Sequence, residues 1–109
     1  MNNYSIEWSN KAREDLFNHF TFLPNVSYEA ASKFVTLMKE EIASLSQLPQ
    51  RYPIFEMNNI ISTIEFRKKV VDKRYIVIYA VYKTSVKIYR ILDSRKKFET
   101  LVGWEMIRR

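Results

Sequence analysis

The chain has 109 residues, 18 basic against 12 acidic side chains, a net charge of +6 and 47% hydrophobic residues, which suits one domain with a packed core. It has no cysteine and a single histidine, His19, which excludes disulfide frameworks and Cys-ligated metal centres and leaves little material for a His-based triad. Residues 1–64 carry five basic and seven acidic side chains, net −2, whereas residues 65–109 carry thirteen and five, net +8, a local positive potential that attracts nucleic acid or an acidic partner protein.

Tyr4, Ile6 and Trp8 alternate with Ser5 and Glu7, the period-two pattern of a half-buried strand. Ser9 can cap a helix whose apolar face is Ala12, Leu16, Phe20 and Leu23, up to the break at Pro24-Asn25. Ser27 is a second cap, and Ala31, Phe34, Met38, Ile42, Leu45 and Leu48 predict a helix of roughly twenty residues ending before Pro49. The short break predicts that the two helices fold back as an antiparallel hairpin. Residues 49–59, with Pro49, Pro53 and Asn58-Asn59, read as a loop.

Three strands follow. Between Ile60 and Val71, Ile64, Phe66 and Val70 alternate with Glu65, Arg67 and Lys69, which predicts one apolar and one charged face, with Lys68 interrupting the apolar side. Arg74 to Tyr82 is apolar on both sides and is expected to be central. From Val86 to Asp93, Val86, Ile88 and Leu92 are expected on one face and Lys87, Tyr89 and Ile91 on the other. Asp72-Lys73 and Lys83-Thr84-Ser85 link these strands, and without glycine their turns are expected to be looser than ideal hairpins. The sole glycine, Gly103, sits in a tail with Trp104 and Met106.

The order predicts a single α+β domain over residues 1–109: an N-terminal strand, then an antiparallel helical hairpin packed on one face of a mainly antiparallel four-stranded sheet. The opposite face is expected to be open, to gather basic residues and to meet a partner. No apolar run approaches the roughly 18 residues of a membrane span, and the start, Met1-Asn2-Asn3-Tyr4, has no signal core, so a cytoplasmic protein without membrane partners is expected.

Four stretches resemble the RelE/ParE superfamily of type II toxin–antitoxin toxins. They are Tyr4-Ser5-Ile6-Glu7-Trp8-Ser9 with Ala12 and Asp15-Leu16; Leu45-Ser46-Gln47-Leu48-Pro49; Phe66-Arg67-Lys68 leading into Tyr75-Ile76-Val77-Ile78-Tyr79; and Val86 through Arg95. The resemblance spans Tyr4 to about Leu101 and implies the same element order. It implies two activities: RelE-like members cleave mRNA in the ribosomal A site, and ParE-like members poison DNA gyrase. In a register anchored on Tyr75 and Tyr79, Arg67 and Lys69 fall where RelE-like nucleases place two basic residues, and Arg95 or Lys96 falls near a third. These four are the catalytic candidates. The sequence departs from the nuclease pattern at Ile76, where those enzymes carry Arg, at Val102, near their Tyr, and at Asp93, where several carry His.

Cleavage by the 2′-hydroxyl needs stabilisation of a pentavalent dianion and proton transfer at both ends, and cations supply the first without metal or other cofactor. Arg67 and Lys69 would project about 7 Å apart from one strand face, close enough to straddle a phosphate. Lys69 could serve as base only if neighbouring cations lowered its pKa. Lys68, Lys73, Arg74, Lys87, Arg90 and Lys97 are candidates for nucleic-acid contact, with Tyr89, between Lys87 and Arg90, as a base-stacking ring. Asp93 is expected to pair with Arg95 or Arg67, and His19 to be a packing or surface residue rather than a catalyst.

The leading expectation is a toxin that arrests growth by ribosome-dependent mRNA cleavage. The alternatives are a gyrase poison without nuclease activity and an inactive antitoxin-binding module. All three imply a small acidic antitoxin with a segment that folds against this domain. The polyanion reading requires Arg67, Lys69, Arg90 and Arg95 to converge on one exposed concavity.

Overall fold

A computed structural model describes residues 3–21, 27–56 and 63–94. The elements are β1 (Ser5–Trp8), α1 (Asn10–Thr21), α2 (Tyr28–Ala43), two 3-10 turns (Ser44–Ser46 and Pro49–Arg51), β2 (Phe66–Val71), β3 (Tyr75–Val81) and β4 (Ser85–Asp93). The sheet order is β1-β4-β3-β2, with β1 parallel to β4 and the other pairs antiparallel. This is the expected α+β arrangement. β3 is an inner strand, and Tyr75 through Ala80 are all buried, as its two-sided apolar pattern predicts. Pro24-Asn25, Asn58-Asn59, Ile60 and the tail around Gly103 lie outside the described residues.

Both predicted helix caps form. Ser9 Oγ accepts from Ala12 N at 2.9 Å, and Ser27 Oγ accepts from Ala30 N at 3.0 Å. The second helix is shorter than its stripe predicts: α2 ends at Ala43 and tightens into the first 3-10 turn. Pro49 disfavours helical backbone at Leu48. Leu48 turns left-handed instead, at φ 45° and ψ 54°, and its side chain is 69% exposed rather than completing the stripe.

The helices pack on one face of the sheet, where Ala12, Met38, Ile42 and Leu45 join Val77, Tyr79, Val86, Ile88 and Ile91 in one buried cluster. The other face was expected to be open. It carries a second buried cluster, built on Phe55, Phe66, Ile76, Ile78, Tyr89 and Leu92. Phe55 belongs to it because residues 53–55 run along the outer edge of β2: Phe55 N donates to Phe66 O at 2.8 Å and Lys68 N to Pro53 O at 3.0 Å.

Three local expectations are corrected. The alternation of β2 is real, but its charged members Arg67 and Lys69 pair with Tyr79 and Val77 and so share the helix-bearing face, while Val70 is 54% exposed. In β4 the register with β3 shifts between Ile78 and Tyr79, so Tyr89 is an extra residue and the facing reverses beyond it. Ile91 therefore joins Val86 and Ile88, and Leu92 joins Tyr89, the opposite of the unbroken alternation. The Asp72-Lys73 turn is tight rather than loose. Both residues are left-handed, φ 55° and 57°, and Arg74 N bonds Val71 O at 3.2 Å, the geometry of a two-residue hairpin that matches strand twist.

Candidate functional site

β2 ends the sheet, and long cations pointing inward from it can reach the backbone carbonyls at the end of α2. Lys69 does this. It is 4% exposed; its Nζ donates to Glu41 O at 2.8 Å and Ser44 Oγ at 2.9 Å, with the Glu41 carboxylate 3.7 Å away. Arg51 serves the next turn, donating to the carbonyls of Gln47, Leu48 and Ser44. Arg67 donates to Tyr52 O at 2.7 Å and Gln50 O at 3.2 Å, and to Glu65 Oε1 at 3.3 Å. Tyr79 OH completes the clamp by donating to Pro49 O at 2.7 Å. Burial raises the Tyr79 phenol to about 12, against the opposing charges of Arg67 and Arg51.

The Tyr52 ring lies against two of these cations, with Arg51 Cζ 4.8 Å and Lys69 Nζ 5.1 Å from its centroid. Burial works to raise its phenol. Hydrogen bonding to Arg51 and Lys69, together with their charges, outweighs burial and leaves the phenol below its usual value near 10.

Arg90 is held elsewhere. β1 ends at Trp8, paired with Ile88, so the outer edge of β4 beyond that point would be bare. α1 covers it with side chains. Ser9 Oγ donates to Tyr89 O at 2.9 Å, and Asp15 Oδ2 accepts from Ile91 N at 2.9 Å. His19 Nε2 lies 2.6 Å from Ile91 O, with its ring against Tyr75, which is the first of the two roles expected of it. Arg90, 6% exposed, binds Asp15 through Nε at 2.7 Å and Nη2 at 3.1 Å.

The expected convergence of cations is therefore absent among the described residues. Arg67 and Lys69 reach from β2 to the end of α2, and Arg90 reaches from β4 to α1. Arg95, Lys96 and Lys97 lie outside the described residues. Lys68 lies over the Phe55 ring at 6.0 Å and Lys87 over the Tyr89 ring at 5.1 Å. Lys73 is exposed at its turn, and Arg74 pairs with Asp93 at 3.5 Å, the partner expected instead to be Arg95 or Arg67. Tyr89 offers no free face for a base, being 7% exposed, edge-on to Phe66 at 5.1 Å and bonded through its hydroxyl to Tyr82 OH at 2.6 Å. Burial first, and then this hydrogen bond, push its phenol well above the usual value.

Residues 6–98 match the family described as ParE toxin of type II toxin-antitoxin system, parDE. The chain belongs to the ParE toxin family. It is a toxin of the type II toxin–antitoxin class, and the solved structures it resembles share this fold. One comes from the chromosomal ParDE system of P. aeruginosa, with 21% identity, a TM-score of 0.61, and coverage of 83% of this chain and 95% of that one. Another comes from the E. coli DinJ-YafQ toxin–antitoxin complex, with 18% identity, a TM-score of 0.50, and coverage of 85% and 94%. No curated protein matches the chain.

In this ParE-family toxin, sequence reasoning missed Arg51, Tyr52 and Asp15 as members of these clusters. Arg51-Tyr52 stands out only as an adjacent cation and phenol in a proline-flanked loop, and Asp15 only as an acid on the inward side of a predicted helix. Among the described residues no group of three His, Cys, Asp or Glu side chains could hold a metal ion, and no helix is long and apolar enough to cross a membrane.

Proposed function

We propose that this ParE-family chain arrests growth as a gyrase poison, acting by binding rather than by cutting RNA, and that a small acidic antitoxin neutralises it. The observation carrying this reading is the state of Lys69. A cation serving a scissile phosphate must offer free N–H groups, and Lys69 is buried with its ammonium bonded to Glu41 and Ser44. Arg67 is held less completely: Nη1 is bonded to two backbone carbonyls and Nη2 to Glu65, with its side chain mostly buried. Exposed Phe17, Tyr28 and Leu37 on the helices give an antitoxin segment apolar anchors, and the positive second half of the chain suits its acidic side chains.

One arrangement favours the second reading, ribosome-dependent RNA cleavage: the acidified Tyr52 phenol beside Lys69 and Arg51 is the nearest thing to a proton-transfer group in the clamp. Induced expression followed by pulse labelling separates the two. The gyrase reading expects DNA breaks and filamentous cells before protein synthesis falls, and full toxicity in a Tyr52→Phe variant. Immediate loss of protein synthesis, abolished by Tyr52→Phe, would overturn it in favour of RNA cleavage.

A further inference from the structure

A cleft of about 260 Å³ opens where the chain leads into β2 and β3 ends, lined among others by Gln50, Ile64, Glu65, Arg67, Ala80 and Tyr82. It lies below the roughly 300–1,000 Å³ usual for drug-sized ligands, a size suited to a single ring system. Its chemistry is mixed. Ile64 and Ala80 supply apolar surface, Tyr82 is an aromatic ring 42% exposed, and Glu65 and Arg67 form an ion pair at 3.3 Å. The polar groups are fixed in advance. Arg67 is anchored through Nη1 to Gln50 O and Tyr52 O, and the Tyr82 hydroxyl is tied to Tyr89. Nη2 of Arg67, which donates to Glu65, has a second N–H, and the Glu65 side chain is 61% exposed.

We propose that this cleft binds a guanine base. An adjacent carboxylate and guanidinium match the Watson–Crick edge of guanine, whose N1–H and N2–H₂ donate side by side to a carboxylate while O6 accepts from a neighbouring cation. Adenine offers N6–H₂ beside the acceptor N1 and gives the carboxylate no such pair. Tyr82 supplies the aromatic surface on which bases of single-stranded nucleic acid stack. The cleft shares Arg67 with the clamp, but its ligand is not gyrase, so failure of guanine binding would leave the proposed action on gyrase standing.

The test is titration of the ¹⁵N-labelled chain with guanosine 5′-monophosphate, adenosine 5′-monophosphate and inorganic phosphate, following amide shifts. The expected result is saturable shifts at Ile64, Glu65, Arg67 and Ala80 with the guanine nucleotide, a preference over adenine of about tenfold, and no such shifts with phosphate. Glu65→Gln should abolish the preference, and Tyr82→Ala should weaken both nucleotides; both side chains are exposed enough for the fold to survive. The 2′-deoxynucleotide should give the same shifts, because every proposed contact is to the base, and loss of binding with it would overturn the base-edge reading. Equal affinity for both bases, the same shifts with phosphate alone, an unchanged preference in Glu65→Gln, or no shifts at the cleft would each overturn the proposal.

Discussion

Asp15 on α1 accepts two hydrogen bonds from Arg90 on β4, at 2.7 and 3.1 Å, and a third from the Ile91 amide at 2.9 Å. A cation read from the sequence as a nucleic-acid contact is thus half of a buried pair that closes the exposed end of β4. Nη1 of the same guanidinium is buried without a hydrogen-bond partner among the described residues.

Removing the acid should be severe. Asp15→Ala leaves Arg90 charged, buried and unpaired, which costs about 3–5 kcal/mol. Replacing both partners with apolar residues of similar volume, Asp15→Leu with Arg90→Met, should recover only part of that loss, because the Ile91 amide still lacks its acceptor. Urea denaturation of Asp15→Leu, Arg90→Met and the double variant measures the cycle, and additive losses would show that the pair is not coupled.

The β2–β3 turn predicts a gain. Lys73 is left-handed without being glycine, and Asp-Gly is the preferred pair for this geometry. Lys73→Gly should stabilise the fold by about 1 kcal/mol, raising Tm by several degrees. An unchanged or lower Tm in calorimetry would contradict the turn geometry.

Alkaline pH should weaken the fold through Tyr79. Its phenol is raised to about 12 in the folded chain against 10 when unfolded, so its contribution is intact below pH 10 and is lost as pH rises toward 12. A difference of two pKa units corresponds to about 3 kcal/mol. Tyr89 acts with the same sign. Tyr52, whose phenol is lowered, acts oppositely: its stabilisation is present above pH 10 and is lost as pH falls through its folded value. Tyr79→Phe should cost about 1 kcal/mol at pH 8, from the lost bond to Pro49 O, and should decline less steeply between pH 9 and 11. Identical urea midpoints and slopes for wild type and variant would refute this.

Lys69→Ala separates a structural cation from a catalytic one. Losing its bonds to Glu41 and Ser44 should lower stability by about 2–3 kcal/mol, and toxicity per folded molecule should stay at the wild-type level. Thermal melts beside growth assays, normalised to soluble protein, give both quantities. An unchanged Tm with lost toxicity would return Lys69 to the active site.

Much of the fold was legible because its signals are local. Ser9 and Ser27 cap the helices that follow them, and the two-sided apolar run from Tyr75 to Ala80 marks an inner strand. The candidate site was not legible, because alternation shows that Arg67 and Lys69 share a face but not which layer that face meets. That choice depends on the carbonyls of Glu41, Gln50 and Tyr52, which are distant in sequence. The extra residue at Tyr89 likewise reverses the facing of Ile91 and Leu92, and a bulge has no composition signal when its members are all apolar or aromatic. Leu48 belongs by period to the α2 stripe, and only the proline after it hinted at the turn.

The claim that the β2 cations are clamps and not phosphate ligands meets its most direct test with purified components. Primer extension on ribosome-bound message and a gyrase supercoiling assay, each with the same preparation of this chain, read both targets at once. The account predicts uncut message and inhibited supercoiling with trapped DNA breaks. Cleaved message at stoichiometric toxin, with supercoiling unaffected, would contradict it.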